Sequence, residues 1–173
     1  MTKRKVMIHM LTSRLELGAS LFDTDDADLE QGDEDAEREF SLSELLGELP
    51  EPTEMLMEGC LATDATRVEL IYEESDLTGM DGSVTTIGFD SANPSMVSML
   101  RTGTVRTALT FENKKRHICI YRTPFSDFEV CLRTLCVKNE LLKEGKLFLD
   151  YLVEIHGAQA EHCKMTVTLH SIE

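Results

Sequence analysis

The 173-residue chain contains no tryptophan, and aromatic residues make up only 6% of it. Any interior must therefore be filled largely by aliphatic side chains, and nine methionines supply much of that bulk with flexible, adaptable packing. No apolar run approaches the roughly 18 residues of a membrane-spanning helix. The stretch Val6 to Leu11 behind the basic start is interrupted by His9 and is too short for a secretory leader, so no membrane partner is expected. Clustered Lys and Arg are also missing, apart from "KRK" at Lys3 to Lys5 and "KKR" at Lys114 to Arg116, which read as a solvated terminus and a solvated turn. Without a basic surface, nucleic acid is not an expected partner. The five cysteines, Cys60, Cys119, Cys131, Cys136 and Cys163, form no C-x-x-C pair and lie within apolar runs. Free buried thiols point to a reducing compartment and hence to the cytoplasm.

The motifs of common chemistry are absent too. His156, His162 and Cys163 lack zinc-ligand spacing, and His9, His117 and His170 stand singly in strand-like runs, so no metal is expected. There is no nucleophile elbow, phosphate loop or dinucleotide glycine pattern. These absences lead us to expect no enzyme, no catalytic residue and no cofactor.

What the sequence does have is alternation. "RVELIYE" sets Val68, Leu70 and Tyr72 against Arg67, Glu69 and Glu73; "KMTVTLH" sets Met165, Val167 and Leu169 against Lys164, Thr166 and Thr168. Period two with one apolar face is the pattern of half-buried antiparallel strands. The same reading covers 5–16, 54–63, 83–90, 95–102, 105–111, 116–122, 125–138 and 145–156, with turns at "DATR", "MDGS", "SANP", "TGT", "ENKK" and "HGAQ". An all-β fold follows. The two long strands near the C-terminus favour one closed antiparallel barrel of about 8–10 strands over a sandwich. Val68, Leu70, Leu149, Val153, Val167 and Leu169 are the expected core.

Residues 18–53 break the rhythm. Between Gly18 and Glu54 lie 14 of the 32 acids and one of the 17 bases, whereas the remaining 18 acids and 16 bases nearly balance. The first half of this segment has too few apolar groups to fold alone. It resembles a calcium loop in having acids at the first, third and twelfth positions of "DTDDADLEQGDE", but Asp28 occupies the position that needs glycine. Its second half, "FSLSELLGELP", has a capping box at Ser41 and Glu44, a staple between Phe40 and Leu45, and leucines 42, 45, 46 and 49 on one face. The reading is an acidic insertion, 18–53, carrying a short helix near 42–49, outside a barrel made of 1–17 and 54–173. A helix this short needs an apolar surface to dock on, which is either the barrel mouth or a protein partner met through 41–50.

The corner "YRTPF", Tyr121, Arg122, Thr123, Pro124 and Phe125, ends one strand and precedes the next. Arg122 shares a phase with Ile118 and Ile120, so inward isoleucines imply an inward arginine. Tyr72 and Tyr151 lie in phase with Val68 and Leu70, and with Leu149 and Val153. Two readings stay open. Either Arg122 satisfies carbonyls or a carboxylate at the rim, with Tyr121, Thr123, Pro124 and Phe125 as a folding corner, or Tyr72, Arg122 and Tyr151 line a cavity for a small apolar or acidic ligand such as a fatty acid.

The strings "LIYEESDLTGMDGSVTTIGFD", "RTGTVRTALTFENKKRHICIYRTPFSDFEV" and "GKLFLDYLVEIHGAQAEHCKMTVTLHSIE" resemble the YwiB-like family of domains of unknown function (DUF1934), small bacterial proteins with a calycin (lipocalin-like) β-barrel. The resemblance runs from about Glu54 to Glu173 and implies the fold; the family brings no activity or catalytic residues with it. Ser126 departs from the glycine usual in the family, and the acidic insertion is longer than the family's first connection.

Overall fold

The computed structural model describes residues 1–17, 48–156 and 160–172. Ten antiparallel strands follow one another in the chain: β1 (Thr2–Glu16), β2 (Thr53–Thr63), β3 (Arg67–Glu73), β4 (Ser83–Asp90), β5 (Asn93–Gly103), β6 (Thr107–Glu112), β7 (Arg116–Arg122), β8 (Asp127–Glu140), β9 (Lys146–Ile155) and β10 (Glu161–Ser171). They form a single sheet in the order β6-β5-β4-β3-β2-β1-β10-β9-β8-β7. Every neighbour is a hairpin neighbour in sequence except β1 and β10, which pair from Val6↔Ser171 to Glu16↔Glu161. The first and last strands thus lie side by side, and the sheet curls until its edges, β6 and β7, meet.

Alternation drives the curl. Val6, Ile8 and Met10 of β1 are buried, as are Val68, Leu70 and Tyr72 of β3 and Leu147 and Leu149 of β9, while their neighbours face outward or are only half-covered. The expected core residues Val68, Leu70, Leu149 and Val167 are among the most buried in the protein, with Val153 and Leu169 packed against them. Leaving these faces in water would cost roughly 1.5–3 kcal/mol per large side chain. Register is strongly fixed as a result, since a one-residue slip would turn every core residue outward.

Turn chemistry sits where the polar breaks fall. Asp64 accepts the N–H groups of Thr66 and Arg67 at 2.9 and 2.8 Å, closing the β2–β3 turn, and these bonds hold its carboxyl below the ordinary carboxylate range. One short helix, α1 (Leu141–Glu144), follows β8; its four residues carry no signal against the flanking strands. Gly145, at φ 68°, ends α1 in the left-handed region and accepts the Leu169 N–H. The helix expected near 42–49 lies outside the described residues up to 47, and Glu48 to Pro50 belong to no regular element.

Strand β7 corrects one expectation. Ile118 and Ile120 are 53% and 44% exposed, and Arg122 follows them outward. The inner phase belongs to His117, Cys119 and Tyr121, which pair with Leu132, Val130 and Phe128 of β8. "HICIY" is apolar on both faces, so its period carries no phase; the β8 partner decides it.

Candidate functional site

At the barrel end where β1 and β3 finish and β2 begins, the described residues leave part of the interior unfilled. A cavity of about 500 Å³ opens there, and a second of about 300 Å³ adjoins it, with Arg14, Met99, Arg101, Tyr151 and Cys163 among the residues that line both. The wall of the larger is rich in thioether: Met10, Met55, Met80, Met99 and Met165 all contribute. Unbranched, polarisable side chains make a wall that adapts to the shape of its contents.

The most deeply buried charged groups of the lining, Arg101 and Glu74, are held together with Thr85 of β4. The face that carries Val97 and Met99 along β5 continues to Arg101, and the face of Val68, Leu70 and Tyr72 continues past β3 to Glu74. The side chains of Arg101 and Glu74 are 10% and 3% exposed. Arg101 Nε and Nη2 both lie 3.3 Å from Glu74 Oε1. Thr85 of β4 completes the group, donating its hydroxyl to the same Glu74 oxygen and accepting from Arg101 Nε at 3.1 Å. Arg101 Nη2 also reaches the Met99 sulfur at 3.7 Å. A charge this deep needs a partner, and each of the two supplies the other's.

Beside this pair lie the two tyrosines that alternation places inside. Burial, with the Glu74 carboxylate adding to it, holds the Tyr72 hydroxyl protonated far above the ordinary tyrosine range. Burial does the same for Tyr151, which packs edge-on against Phe111 at 5.0 Å and pairs across strands with Cys163. The Cys163 thiol is pushed up to about 11 by burial. At neutral pH the buried part of the cavity therefore presents neutral hydroxyls, a neutral thiol and the Arg101–Glu74 ion pair, with Arg14, Lys164 and Glu51 also in the lining.

Tyr72 and Tyr151 both line the larger cavity, and Arg122 does not join them. Its side chain is 58% exposed and 3.8 Å from Asp127. Arg101 takes the inward place instead. Sequence reasoning misses Arg101 and Glu74, although the signal is present: each extends an apolar period-two face by one further step. Tyr121 lines the smaller cavity. Thr123 organises the turn to β8: its Oγ1 accepts the N–H groups of Phe125 and Ser126 at 3.3 and 3.1 Å and donates to the Ser126 carbonyl at 2.8 Å. Pro124 fits such a turn because it needs no donor there, and Phe125 is left 95% exposed. All five cysteines are free. Among the described residues no His, Cys, Asp and Glu cluster is arranged to hold a metal, and no helix is long and apolar enough to cross a membrane.

An all-antiparallel, nearly closed ten-stranded barrel with an internal cavity at one end defines a calycin-like protein. Residues 44–167 match the family described as Domain of unknown function (DUF1934), and the chain belongs to that family. The crystal structure of ywiB protein from Bacillus subtilis shares the fold, with a TM-score of 0.60 over 98% of this chain and 94% of that chain at 17% identity. No curated protein matches the sequence.

Proposed function

We propose that this protein binds a small amphipathic molecule inside its barrel, in the cytoplasm, and does so without transforming it. The observation that carries the reading is the cavity of about 500 Å³, whose mixed wall sets five methionines beside polar groups and one buried, hydrogen-bonded Arg101–Glu74 pair. Pockets for small ligands combine apolar surface with polar groups that fix orientation. Binding without catalysis is supported by the protonation of the lining groups. Tyr72, Tyr151 and Cys163 hold their protons well above neutral pH, where a general base or thiolate nucleophile would have to give them up. The free cysteines support the reducing compartment.

Two measurements test this together. Native mass spectrometry of protein purified from cells should show a mass excess that disappears on denaturation. Replacing Met99, which touches both cavities, by tryptophan should abolish uptake of the neutral fluorophore N-phenyl-1-naphthylamine while leaving the far-ultraviolet circular dichroism unchanged. Equal fluorophore uptake by both proteins, with no released mass, would sink the reading.

A further inference from the structure

We infer that the barrel selects an uncharged amphipath whose polar head both donates and accepts hydrogen bonds, such as a primary carboxamide, and discriminates against the corresponding carboxylate. The inference rests on the binding function proposed above and concerns what that site prefers.

An inward arginine taken alone would favour an acid, but Arg101 is not alone. Three cations line the cavities, and each has a carboxylate within reach: Arg101 with Glu74 at 3.3 Å, Arg14 with Glu161 at 3.7 Å, and Lys164 with Asp150 at 3.9 Å. Arg14 and Lys164 are also 65% and 43% exposed, so water screens what charge they have left. Glu51 adds a further carboxylate to the lining. A carboxylate brought to Arg101 would lie against Glu74, whose side chain is nearly closed off from water, and an ammonium brought to Glu74 would meet Arg101.

The unused atoms of the pair describe the head that fits. Glu74 Oε1 takes the bonds from Thr85 and from Arg101 Nε and Nη2. Among the described residues, Arg101 Nη1 and Glu74 Oε2 make no hydrogen bond, which leaves donor and acceptor capacity on the same ion pair. A carboxamide carries the complementary acceptor and donor, its carbonyl oxygen and its N–H₂ group, without adding charge to the interior. Tyr72 and Tyr151, both neutral, extend the same polarity, and the methionine wall takes the alkyl chain.

The test is displacement of N-phenyl-1-naphthylamine at neutral pH by decanamide, decanoate and decylamine, which share one chain and differ in the head. Wild-type protein should bind decanamide about tenfold or more tighter than either charged analogue, the penalty of a mismatched buried group. Glu74→Gln removes the counter-charge and keeps the hydrogen-bonding shape, so it should reverse the order of decanamide and decanoate. If Glu74→Gln does not fold, wild-type protein supplies the second measurement: lowering the pH from 7 to 5 converts part of the decanoate to its neutral acid, so its apparent affinity should rise several-fold while that of decanamide stays level. Decanoate binding as tightly as decanamide to wild type at neutral pH, or a ratio unmoved by the variant or by pH, overturns the inference while leaving the binding function standing. Failure of all three to displace the fluorophore, or of the fluorophore to bind, overturns the binding function itself and the inference with it.

Discussion

Arg106 and Arg122 exchange both backbone hydrogen bonds, the Arg106 N–H donating to the Arg122 carbonyl at 2.9 Å and the Arg122 N–H to the Arg106 carbonyl at 2.8 Å. This bridge joins the two edge strands of a sheet that is otherwise an unbroken series of paired neighbours. The "YRTPF" corner therefore works through its main chain. With its side chain exposed and only loosely paired, Arg122→Met should cost less than about 1 kcal/mol. Arg122→Pro deletes the donor that closes the barrel and should cost about 3 kcal/mol or more. Urea unfolding midpoints compare the two; equal losses would mean that the side chain, not the seam, matters.

The turn after Arg122 depends on one hydroxyl. Thr123→Val keeps the shape and removes the Oγ1 bonds to Phe125 and Ser126, so stability should fall by about 1 kcal/mol. Phe125→Ser, at a position 95% exposed, should change it by less than about 0.5 kcal/mol. A larger effect at Phe125 than at Thr123 would show that the aromatic ring holds the corner.

Much of this molecule is legible in its sequence because half-buried strands write their burial as alternation. "RVELIYE" gives β3 residue for residue and puts Tyr72 inside. The failures have physical causes. Where both phases are apolar, as in "HICIY", alternation exists without direction, and long-range pairing with β8 chooses the face. Where a charged residue stands in the inward phase, as Arg101 does after Val97 and Met99, the pattern looks like the end of a strand. Only the fold shows that Glu74, far away in sequence, supplies the opposite charge. The four residues of α1 are too few to show any period at all.

The Arg101–Glu74 pair predicts strongly non-additive mutants. Arg101→Met leaves a carboxylate that is 3% exposed without its cation, and Glu74→Leu leaves the reverse, so each should cost about 3–5 kcal/mol. The combined Arg101→Met, Glu74→Leu protein carries no buried charge and should lie within about 1 kcal/mol of wild type. Chemical denaturation of all four proteins completes the cycle; additive losses would show that the two groups do not depend on each other.

The buried hydroxyls and thiol fix how stability responds to alkali. Cys163 titrates near 9 when unperturbed and at about 11 in the fold, while Tyr72 and Tyr151 are raised well beyond their usual 10. In each case the unfolded chain loses its proton first, so between the two values the native state binds more protons and stability falls as pH rises. The contribution of Cys163 should be intact below pH 9 and lost between pH 9 and 11, a decline of about 2–3 kcal/mol by the upper end. The tyrosines steepen the loss above pH 10. Cys163→Ala deletes the first of these steps, so its unfolding midpoint in guanidinium should fall less between pH 8.5 and 10 than that of wild type. Parallel midpoint curves for the two proteins would place the thiol in contact with water, and the cavity wall at Cys163 would then be open rather than buried.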